Sequence, residues 1–319
     1  ADFQRFILGW SPSHYKNTST ADQVTESVIE TIREDLLQTA IDAAQQAGQY
    51  VRSKWKGKFT IRSKGLNSPA ADILTEVDEA AQHIIYSILK PTIDRYNLGW
   101  LAEEGHQDDS RLCRYAFWTV DPIDGTLFFS EGREGFAVSI ALVDRAGKAL
   151  LGVIYDPAND VLYEAAFDSP VLINKTTLTI KEPSNARITL VLDRGFEQHP
   201  WFPALSSRFN IAFIGGAVMN VVHALKNSRA FYMKVPKKRL GGCAIWDLAA
   251  ASIMIQNAGG SAQFFDGTPI HLNRPDRLYF NDVGFIFCGT LCTYCDVKDA
   301  LVELGLIQDT IPVQFNLLQ

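Results

Sequence analysis

The chain has 319 residues, of which 47% are hydrophobic and 21% are charged, and its formal net charge is −6. This length suffices for one large or two medium domains, and the composition is typical of a soluble globular protein rather than a disordered or fibrous one. The acidic charge argues against binding of a nucleic-acid polymer, although metal ions or a local basic patch would still allow a small anionic substrate.

The first half of the chain combines two predicted helices with later strands. Apolar residues at helical spacing predict a long amphipathic helix over residues 21–49. A second helix is predicted to begin near Asp78 and to stop at Pro91, because proline removes a helical hydrogen bond. Residues 136–143 form a predicted strand, and residues 150–167 form a strand pair joined by a turn.

The pattern changes after residues 181–187, where strands begin to alternate with helices. Helices are predicted from about 217 to 227 and from Trp246 onward, with a late strand near residue 288. This change predicts a domain boundary near residue 185, between an α+β domain (residues 1–185) and an α/β domain (186–319).

Neither a membrane span nor a signal peptide is predicted, because the chain lacks a run of 18 apolar residues and a basic start. We therefore expect an intracellular, cytoplasmic protein, although a targeting segment could have been removed ahead of a chain that does not begin with Met. The five cysteines fit reduced thiols. Zinc is the alternative for Cys288, Cys292 and Cys295, but no fourth ligand follows at suitable spacing.

Carboxylates occur in four separated segments, each beside a stretch of buried-type residues. These segments are DILTEVD (72–78), LAEEG (101–105), WTVDPIDGT (118–126) and IWDLAAASIMIQNAGG (245–260). Taken singly, each has a structural explanation: Asp78 or Asp247 as a helix cap, the glutamates as a solvated loop, and Asp-Pro-Ile-Asp-Gly as a turn.

Taken together, the four segments favour a metal site. Hard oxygen ligands are what Mg²⁺ requires, and the four segments contain neither His nor Cys. Two carboxylates as close as Asp121 and Asp124 repel each other unless a positive charge lies between them. The sequence therefore predicts Mg²⁺, with more than one ion.

The residues after Asp124 indicate what the metal ions act on. Gly125 and Thr126 stand at the predicted start of a helix or tight turn, where backbone N–H groups form an anion pocket. Metal ions beside such a pocket, with the Thr126 hydroxyl at hand, favour metal-assisted hydrolysis of a phosphate ester. A Walker-type loop, a nucleophile elbow and a dinucleotide fingerprint are all absent from the sequence.

In order and spacing these four motifs resemble those of the inositol monophosphatase superfamily, which includes 3′(2′),5′-bisphosphate nucleotidases. The resemblance spans residues of about 60 to 290. It implies a layered α/β/α/β/α sandwich of the inositol monophosphatase/fructose-1,6-bisphosphatase type, with the active site between the two halves. The predicted N-terminal domain would hold most of the metal ligands, and the C-terminal domain would supply Asp247 and the substrate rim.

The resemblance also implies a role for individual residues. Two or three Mg²⁺ ions would be ligated by the residues Glu103, Asp121, Ile123 (through its carbonyl), Asp124 and Asp247. Asp78 and Thr126 would orient and help deprotonate the attacking water, with Glu104 as a further carboxylate of the catalytic site. The predicted substrate-binding residues are Gly125, Thr126, Gly215, Gly216, Lys234 and Arg239.

Two departures put inositol specificity in doubt. Phe128 stands where many members have a polar residue, and a longer basic loop precedes Asp247 where inositol-specific members carry a Glu. This loop contains Lys234, Lys237, Lys238 and Arg239, and it looks more like the loop of bisphosphate nucleotidases. Its basic residues alternatively form a solvated turn.

We therefore expect a phosphomonoesterase for a small-molecule phosphate, leaning to bisphosphate nucleotidase activity. Inositol monophosphatase or another sugar or polyol phosphatase is the alternative, and a catalytically silent phosphate-binding relative is a third reading. The resemblance further suggests inhibition by Li⁺. A homodimer is compatible with the sequence. Neither a nucleic-acid polymer nor a membrane is an expected partner.

Overall fold

Two β-sheets with helices on both faces form most of the structure. The computed structural model describes residues 26–63, 73–105, 108–180, 186–237, 242–280 and 282–308. The helices are α1 (Glu26–Lys54), α2 (Glu76–Tyr96), α3 (Ser110–Cys113), α4 (Thr126–Ser130), α5 (Phe202–Arg208), α6 (Ala217–Lys226), α7 (Ile245–Asn257) and α8 (Leu291–Glu303).

The first sheet has seven strands in sequential order. They are β3 (Gly99–Ala102), β4 (Ala116–Asp124), β5 (Ala137–Asp144), β6 (Ala149–Asp156), β7 (Val161–Ala166), β8 (Leu172–Ile173) and β9 (Thr176–Thr177). Only β3 and β4 pair in parallel, and the remaining neighbours are antiparallel. A separate antiparallel pair, β1 (Ile61–Ser63) and β2 (Ile73–Thr75), precedes α2.

The second sheet has five strands in the order β11-β10-β12-β14-β13. They are β10 (Thr189–Val191), β11 (Asn210–Ala212), β12 (Ala230–Lys234), β13 (Ser261–Phe264) and β14 (Phe285–Cys288). Strands β11, β10 and β12 run parallel, while β14 pairs antiparallel with both β12 and β13. The carboxyl ends of β10 and β12 therefore lie at the same edge of this sheet.

Three apolar cores fill the spaces between five layers. Helices α1 and α2 cover one face of the first sheet, α6 and α7 lie between the two sheets, and α5 and α8 cover the far face of the second. Strand periodicity explains this division: Phe117 faces the central core, while its neighbour Trp118 faces α1 and α2. The predicted α/β/α/β/α sandwich is confirmed.

Most predicted elements match the structure, with one clear error. Helix α2 does not stop at Pro91 but continues to Tyr96, with Asn97 in a left-handed cap conformation. Both Pro91 and Ser87, whose carbonyl loses its helical partner, lie on the exposed face of the helix. Water can hydrate that carbonyl, so the proline is tolerated.

Other predictions fall partly outside the described residues. Helix α1 runs to Lys54, beyond the predicted end at residue 49, whereas residues 21–25 lie outside the described part. The predicted boundary near residue 185 falls within undescribed residues 181–185 and stays a prediction. Helices α5 and α8 and strand β13 were not predicted from the sequence.

The state of the cysteines and the length of the apolar helices relate to two further sequence predictions, on reduced thiols and on membrane spans. All five cysteines are free: Cys288 is buried in β14, and Cys292 and Cys295 are exposed on α8. Among the helices of the described residues, none is long and apolar enough to cross a membrane.

A glycine in β6 sets how closely α7 approaches the first sheet. A Cβ at Gly152 would lie 2.7 Å from the Cα and 2.8 Å from the carbonyl oxygen of Ala250. Both atoms belong to the backbone of α7, so a larger side chain could be accommodated only by moving the helix. Because α7 carries Asp247 near its first residue, this contact places a carboxylate.

We expect Gly152→Ala to destabilise the fold by about 1–3 kcal/mol, because α7 must shift away from β6. The displacement of Asp247 should also lower activity at sub-saturating Mg²⁺. Chemical denaturation and a Mg²⁺ titration measure the two effects. Thr177→Ala, at an exposed position of β9, is the control, and a Gly152→Ala protein as stable as wild type would contradict the proposed packing.

Candidate active site

A bulge at the end of β4 brings Asp121 and Asp124 into one small volume. The pairing of β4 with β5 shifts register between these two residues. The backbone N–H of Ile123 donates to Oδ1 of Asp121 over 2.9 Å, which closes the turn around the intervening proline. Both carboxylates are buried, Asp121 being 2% exposed and Asp124 6% exposed.

Asp247 joins this pair from the other half of the chain. It is the third residue of α7, and its Oδ2 accepts a hydrogen bond of 2.7 Å from the backbone N–H of Ala244. This bond returns the side chain to the helix start. One carboxylate oxygen from each of Asp121, Asp124 and Asp247 lies within 4.8 Å of the others. We call these three residues the carboxylate cluster.

Burial and mutual repulsion raise the pKa of every member of the carboxylate cluster. For Asp121 the causes are burial and then the charges of Glu103 and Asp247, and its pKa lies well above the usual range. The pKa of Asp124 is raised in the same way by burial and Asp247. Burial and Glu103 raise the pKa of Asp247 to about 6. Ionising all three carboxylates without a bound cation therefore costs free energy of folding.

The donor set fits a hard divalent cation. Three buried carboxylates with converging oxygens are the ligand type that Mg²⁺ prefers. Lys234 lowers the pKa of both Asp124 and Asp247, but its ammonium also lies 3.0 Å from Oδ2 of Asp193. One shared lysine does not neutralise three carboxylates, so the cluster can hold a metal ion.

Glu103 lies beside the carboxylate cluster, and Glu104 is tied to α2. The backbone N–H of Glu103 donates to the carbonyl of Val120 over 3.0 Å, and its half-buried side chain hydrogen-bonds to Asp121. Glu104 is held through its backbone, since its N–H and carbonyl both bond to the side-chain amide of Gln82 (3.0 and 2.6 Å). Glu103 is therefore placed to extend the cluster.

Asp78 and Thr126 form a buried hydrogen-bonded pair. Oγ1 of Thr126 lies 3.1 Å from Oδ1 of Asp78 and 2.9 Å from the carbonyl oxygen of Ile123. The other oxygen of Asp78 accepts from both the backbone N–H (2.9 Å) and the hydroxyl of Thr75. Asp78 is thus fixed by a capping box at the start of α2. These contacts hold the hydroxyl of Thr126 in a defined orientation.

Four glycines allow the backbones of both halves to meet beside Asp124. Gly125 has φ +81°, and a Cβ there would lie 2.8 Å from the carbonyl oxygen of Gly135. That same oxygen accepts the N–H of Gly216 over 2.8 Å, and a Cβ on Gly216 would overlap the carboxylate of Asp124. A Cβ on Gly215 would likewise overlap Gly135. Only glycine fits at these contacts.

The N-terminus of α6 holds Asp124. Backbone N–H groups of Ala217 and Val218 donate to its two oxygens over 3.1 and 2.9 Å. Free N–H groups at a helix start favour a negative charge. Gly215 and Gly216 lead directly into this helix, so they position a cluster member besides being predicted substrate-binding residues.

Lys234 is less exposed than a basic-loop residue would be. Its side chain is 13% exposed and pairs with Asp193, which also accepts from the hydroxyl of Tyr232 (2.9 Å) and the amide of Asn220 (3.3 Å). A Cβ on Gly242 would lie 3.0 Å from Nζ of Lys237 and 3.9 Å from Cε of Lys234. The two lysines therefore converge just before α7. Lys238 and Arg239 lie outside the described residues.

Comparison with known proteins identifies the family. The model of the inositol monophosphatase family matches residues 32–288. The chain belongs to this family. A relative named inositol-1-monophosphatase from Mesorhizobium japonicum is 29% identical over 79% of this chain and 93% of its own length.

Other members of the inositol monophosphatase family carry different names. The 3′(2′),5′-bisphosphate nucleotidase CysQ of Buchnera aphidicola is 25% identical over 81% of this chain and 95% of its own length. Nus factor SuhB of Vibrio cholerae is 28% identical over 73% and 86%, respectively. The solved structure of a Thermotoga maritima IMPase has a TM-score of 0.69 at 24% identity and covers 85% of this chain and 98% of that one. These names support a metal-dependent phosphatase and leave the specific activity unresolved.

The sequence prediction missed three residues that organise the site. They are Thr75, which completes the capping box of Asp78, Gly135, whose carbonyl joins the two halves, and Asp193, which pairs with Lys234. The Thr-x-x-Asp spacing could have revealed the first. Asp193 follows a strand parallel to the one ending in Lys234, which places both at one sheet edge.

We expect Asp121→Asn to stabilise the metal-free protein at pH 7–8 by about 2 °C or more. A raised folded-state pKa means that stability is lost as pH rises above about 4, through the range in which the cluster ionises. Asparagine removes one of the repelling charges. The same variant should lose most of the thermal stabilisation that Mg²⁺ gives to wild type, since a ligand charge is gone.

Thermal melts in chelator and in Mg²⁺ measure both effects, with Asp266→Asn in an exposed turn as the control. If the metal-free variant melted below wild type and responded fully to Mg²⁺, the repulsion argument would be wrong.

Thr126→Ala is expected to lower kcat about 100-fold while metal affinity changes little. The substitution removes the hydroxyl beside Asp78 but leaves the carboxylate cluster intact. Steady-state kinetics together with a Mg²⁺ titration separate the two quantities. Thr126→Ser, which retains the hydroxyl, is the matched variant. If Thr126→Ala turned over substrate at a near-normal rate, the Thr126 hydroxyl would have no catalytic role and would only contact the carbonyl of Ile123 at the start of α4.

Proposed function

We propose that the protein is a Mg²⁺-dependent phosphomonoesterase whose substrate is a small bisphosphate, with a 3′(2′),5′-bisphosphate nucleotide as the favoured class. The observation that carries the proposal is the carboxylate cluster beside the Asp78–Thr126 pair. Membership of the inositol monophosphatase family supports the reaction class. The basic residues before α7 support the second phosphate.

The metal ligands proposed are Glu103, Asp121, the carbonyl of Ile123, Asp124 and Asp247, for two or three ions. When bound, the ions polarise the phosphate and lower the pKa of a water molecule. Burial of the cluster strengthens this electrostatic effect, because few solvent dipoles compete with the ligands.

The remaining residues orient the reactants. The Thr126 hydroxyl can donate its one hydrogen bond to Asp78 or to the carbonyl of Ile123, and in either case a lone pair of its Oγ1 can accept a hydrogen bond from the attacking water. Asp78 is held by Thr75 and cannot turn away. The backbone N–H groups of Gly125 and Thr126 are proposed to bind a phosphate oxygen. Glu104 is retained as a further carboxylate at the edge of the site.

A second phosphate is proposed to lie near Lys234, Lys237 and Arg239. Within the described residues, Lys234 and Lys237 converge just before α7, where Lys234 pairs with Asp193. An anionic group of the substrate would be attracted to these lysines. Inositol monophosphatase activity is the competing proposal, supported by the name of the Mesorhizobium japonicum relative.

The test is phosphate release from a panel of nucleotide bisphosphates, sugar bisphosphates and inositol monophosphates, with Mg²⁺ or with excess chelator. We expect the nucleotide bisphosphate to be preferred and chelator to abolish activity. The double variant Lys234→Ala, Arg239→Ala should raise KM for bisphosphates about tenfold more than KM for a small monophosphate, since the second anion is proposed to lie beside these residues.

Two controls sharpen this experiment. Lys90→Ala removes a lysine paired with an aspartate on the exposed face of α2. Adding Asp193→Asn to the double variant neutralises the carboxylate that loses its ion pair with Lys234. Equal effects of the double variant on both substrate types, or a wild-type preference for inositol monophosphate, would overturn the bisphosphate proposal. Full activity in chelator would overturn the metal mechanism.

A further inference from the structure

An open cavity of about 480 Å³ is lined by residues that the candidate active site does not include. Its lining residues are Arg133, Arg194, Gly195, Glu197, Gln198 and Phe213. We call it the arginine cavity.

Three chain segments connect the arginine cavity with the candidate active site. Phe213 precedes the Gly215–Gly216 contact by two residues, and Arg194 directly follows Asp193, the partner of Lys234. Arg133 lies over Phe128, which is two residues beyond Thr126. The ring of Phe128 in turn would be 3.3 Å from a Cβ on Gly135. The arginine cavity therefore adjoins the glycine contact and the Lys234–Asp193 pair of the candidate active site.

Both arginines are arranged around one buried ring. The guanidinium carbons of Arg133 and Arg194 lie 5.2 and 5.3 Å from the ring centroid of Phe128, which is 6% exposed. Oε2 of Glu131 lies 2.6 Å from Arg194 and 3.5 Å from Arg133. The shared carboxylate and the shared ring hold two planar cations at one place.

The charges around the arginine cavity do not favour an anion. Arg133 and Arg194 are matched by Glu131 and by Glu197 in the lining, so these four residues sum to zero. The lysine side of the site, by contrast, brings Lys234 and Lys237 together just before α7. A second phosphate is therefore drawn to the lysines, and the arginine cavity suits an uncharged planar group that stacks on guanidinium.

We propose that the arginine cavity binds the nucleobase of the substrate, which stacks on Arg194 while the amide of Gln198 lies within the same lining to meet the base edge. The inference rests on the proposed function, because it names where the base of a nucleotide bisphosphate lies. Stacking of a base on an aromatic side chain strengthens binding by about 5- to 160-fold, and a guanidinium plane offers a similar flat face. The base thus selects nucleotides over sugar bisphosphates.

The test compares adenosine 3′,5′-bisphosphate with the same bisphosphate carrying hydrogen in place of the base. Wild type should prefer the complete nucleotide by about tenfold or more in kcat/KM, chiefly through KM. Arg194→Ala should remove most of this preference without altering KM for the base-free compound. Arg194→Lys should behave like the alanine variant, because lysine keeps the charge but lacks the planar face.

Arg208→Ala is the control, since Arg208 is also a solvent-accessible arginine paired with a carboxylate, at 3.1 Å from Glu303. Circular dichroism and thermal melts confirm that each variant is folded. If Arg194→Ala raised KM equally for both compounds and Arg194→Lys restored it, the cavity would be an anion site and the proposal would be wrong.

If wild type hydrolysed both compounds equally well, the nucleobase proposal would fail while the bisphosphatase proposal stood. If wild type hydrolysed neither compound but released phosphate from inositol monophosphate, both proposals would fail.

Discussion

The repulsion among three buried carboxylates is the constraint around which the rest of the structure is arranged. Asp121, Asp124 and Asp247 hold oxygens within 4.8 Å of one another in a place that water hardly reaches. Such an arrangement would relax by rotating the side chains outward if each were not held. Each carboxylate is accordingly fixed by backbone N–H donors, from Ile123, from the start of α6, and from Ala244.

The five-layer architecture supplies these donors from distant parts of the chain. Strand β4 ends in the first sheet, whereas α6 and α7 lie between the sheets, so the cluster forms only where the two halves meet. Close backbone contacts at Gly135, Gly152 and Gly216 keep the two halves near each other where the cluster forms. A change in the packing of the central core would therefore also change the geometry of the carboxylate cluster.

Short sequence segments indicated the carboxylates of the cluster because those signals are local, whereas the order of the layers followed from the family resemblance. The run of buried residues in β4 and the position of Asp247 near the start of α7 are visible within a few residues. The continuation of α2 through Pro91 was missed because it depends on which helix face is exposed. The pairing of Lys234 with Asp193 was missed because it joins two strands that are about forty residues apart.

The environment of Lys234 and Arg194 could not be read from sequence for the same reason. A basic residue in a loop sequence is typical of a solvated surface, yet the side chain of Lys234 is largely buried. The position of the Arg194 side chain depends on its contacts with Phe128 and Glu131, which belong to another segment of the chain. The proposed substrate selection thus depends on tertiary contacts, whereas the family is evident from short motifs.

The attachment of Asp124 to α6 has a consequence for how an ion would be shared. A carboxylate offers about four lone-pair directions, and two of them accept the N–H groups of Ala217 and Val218. The helix start withdraws electron density through these bonds. Asp124 is therefore a weaker electron donor than Asp121, which accepts a single backbone bond. Of the two carboxylates near the end of β4, Asp121 would therefore be the stronger ligand for an ion and Asp124 the weaker one.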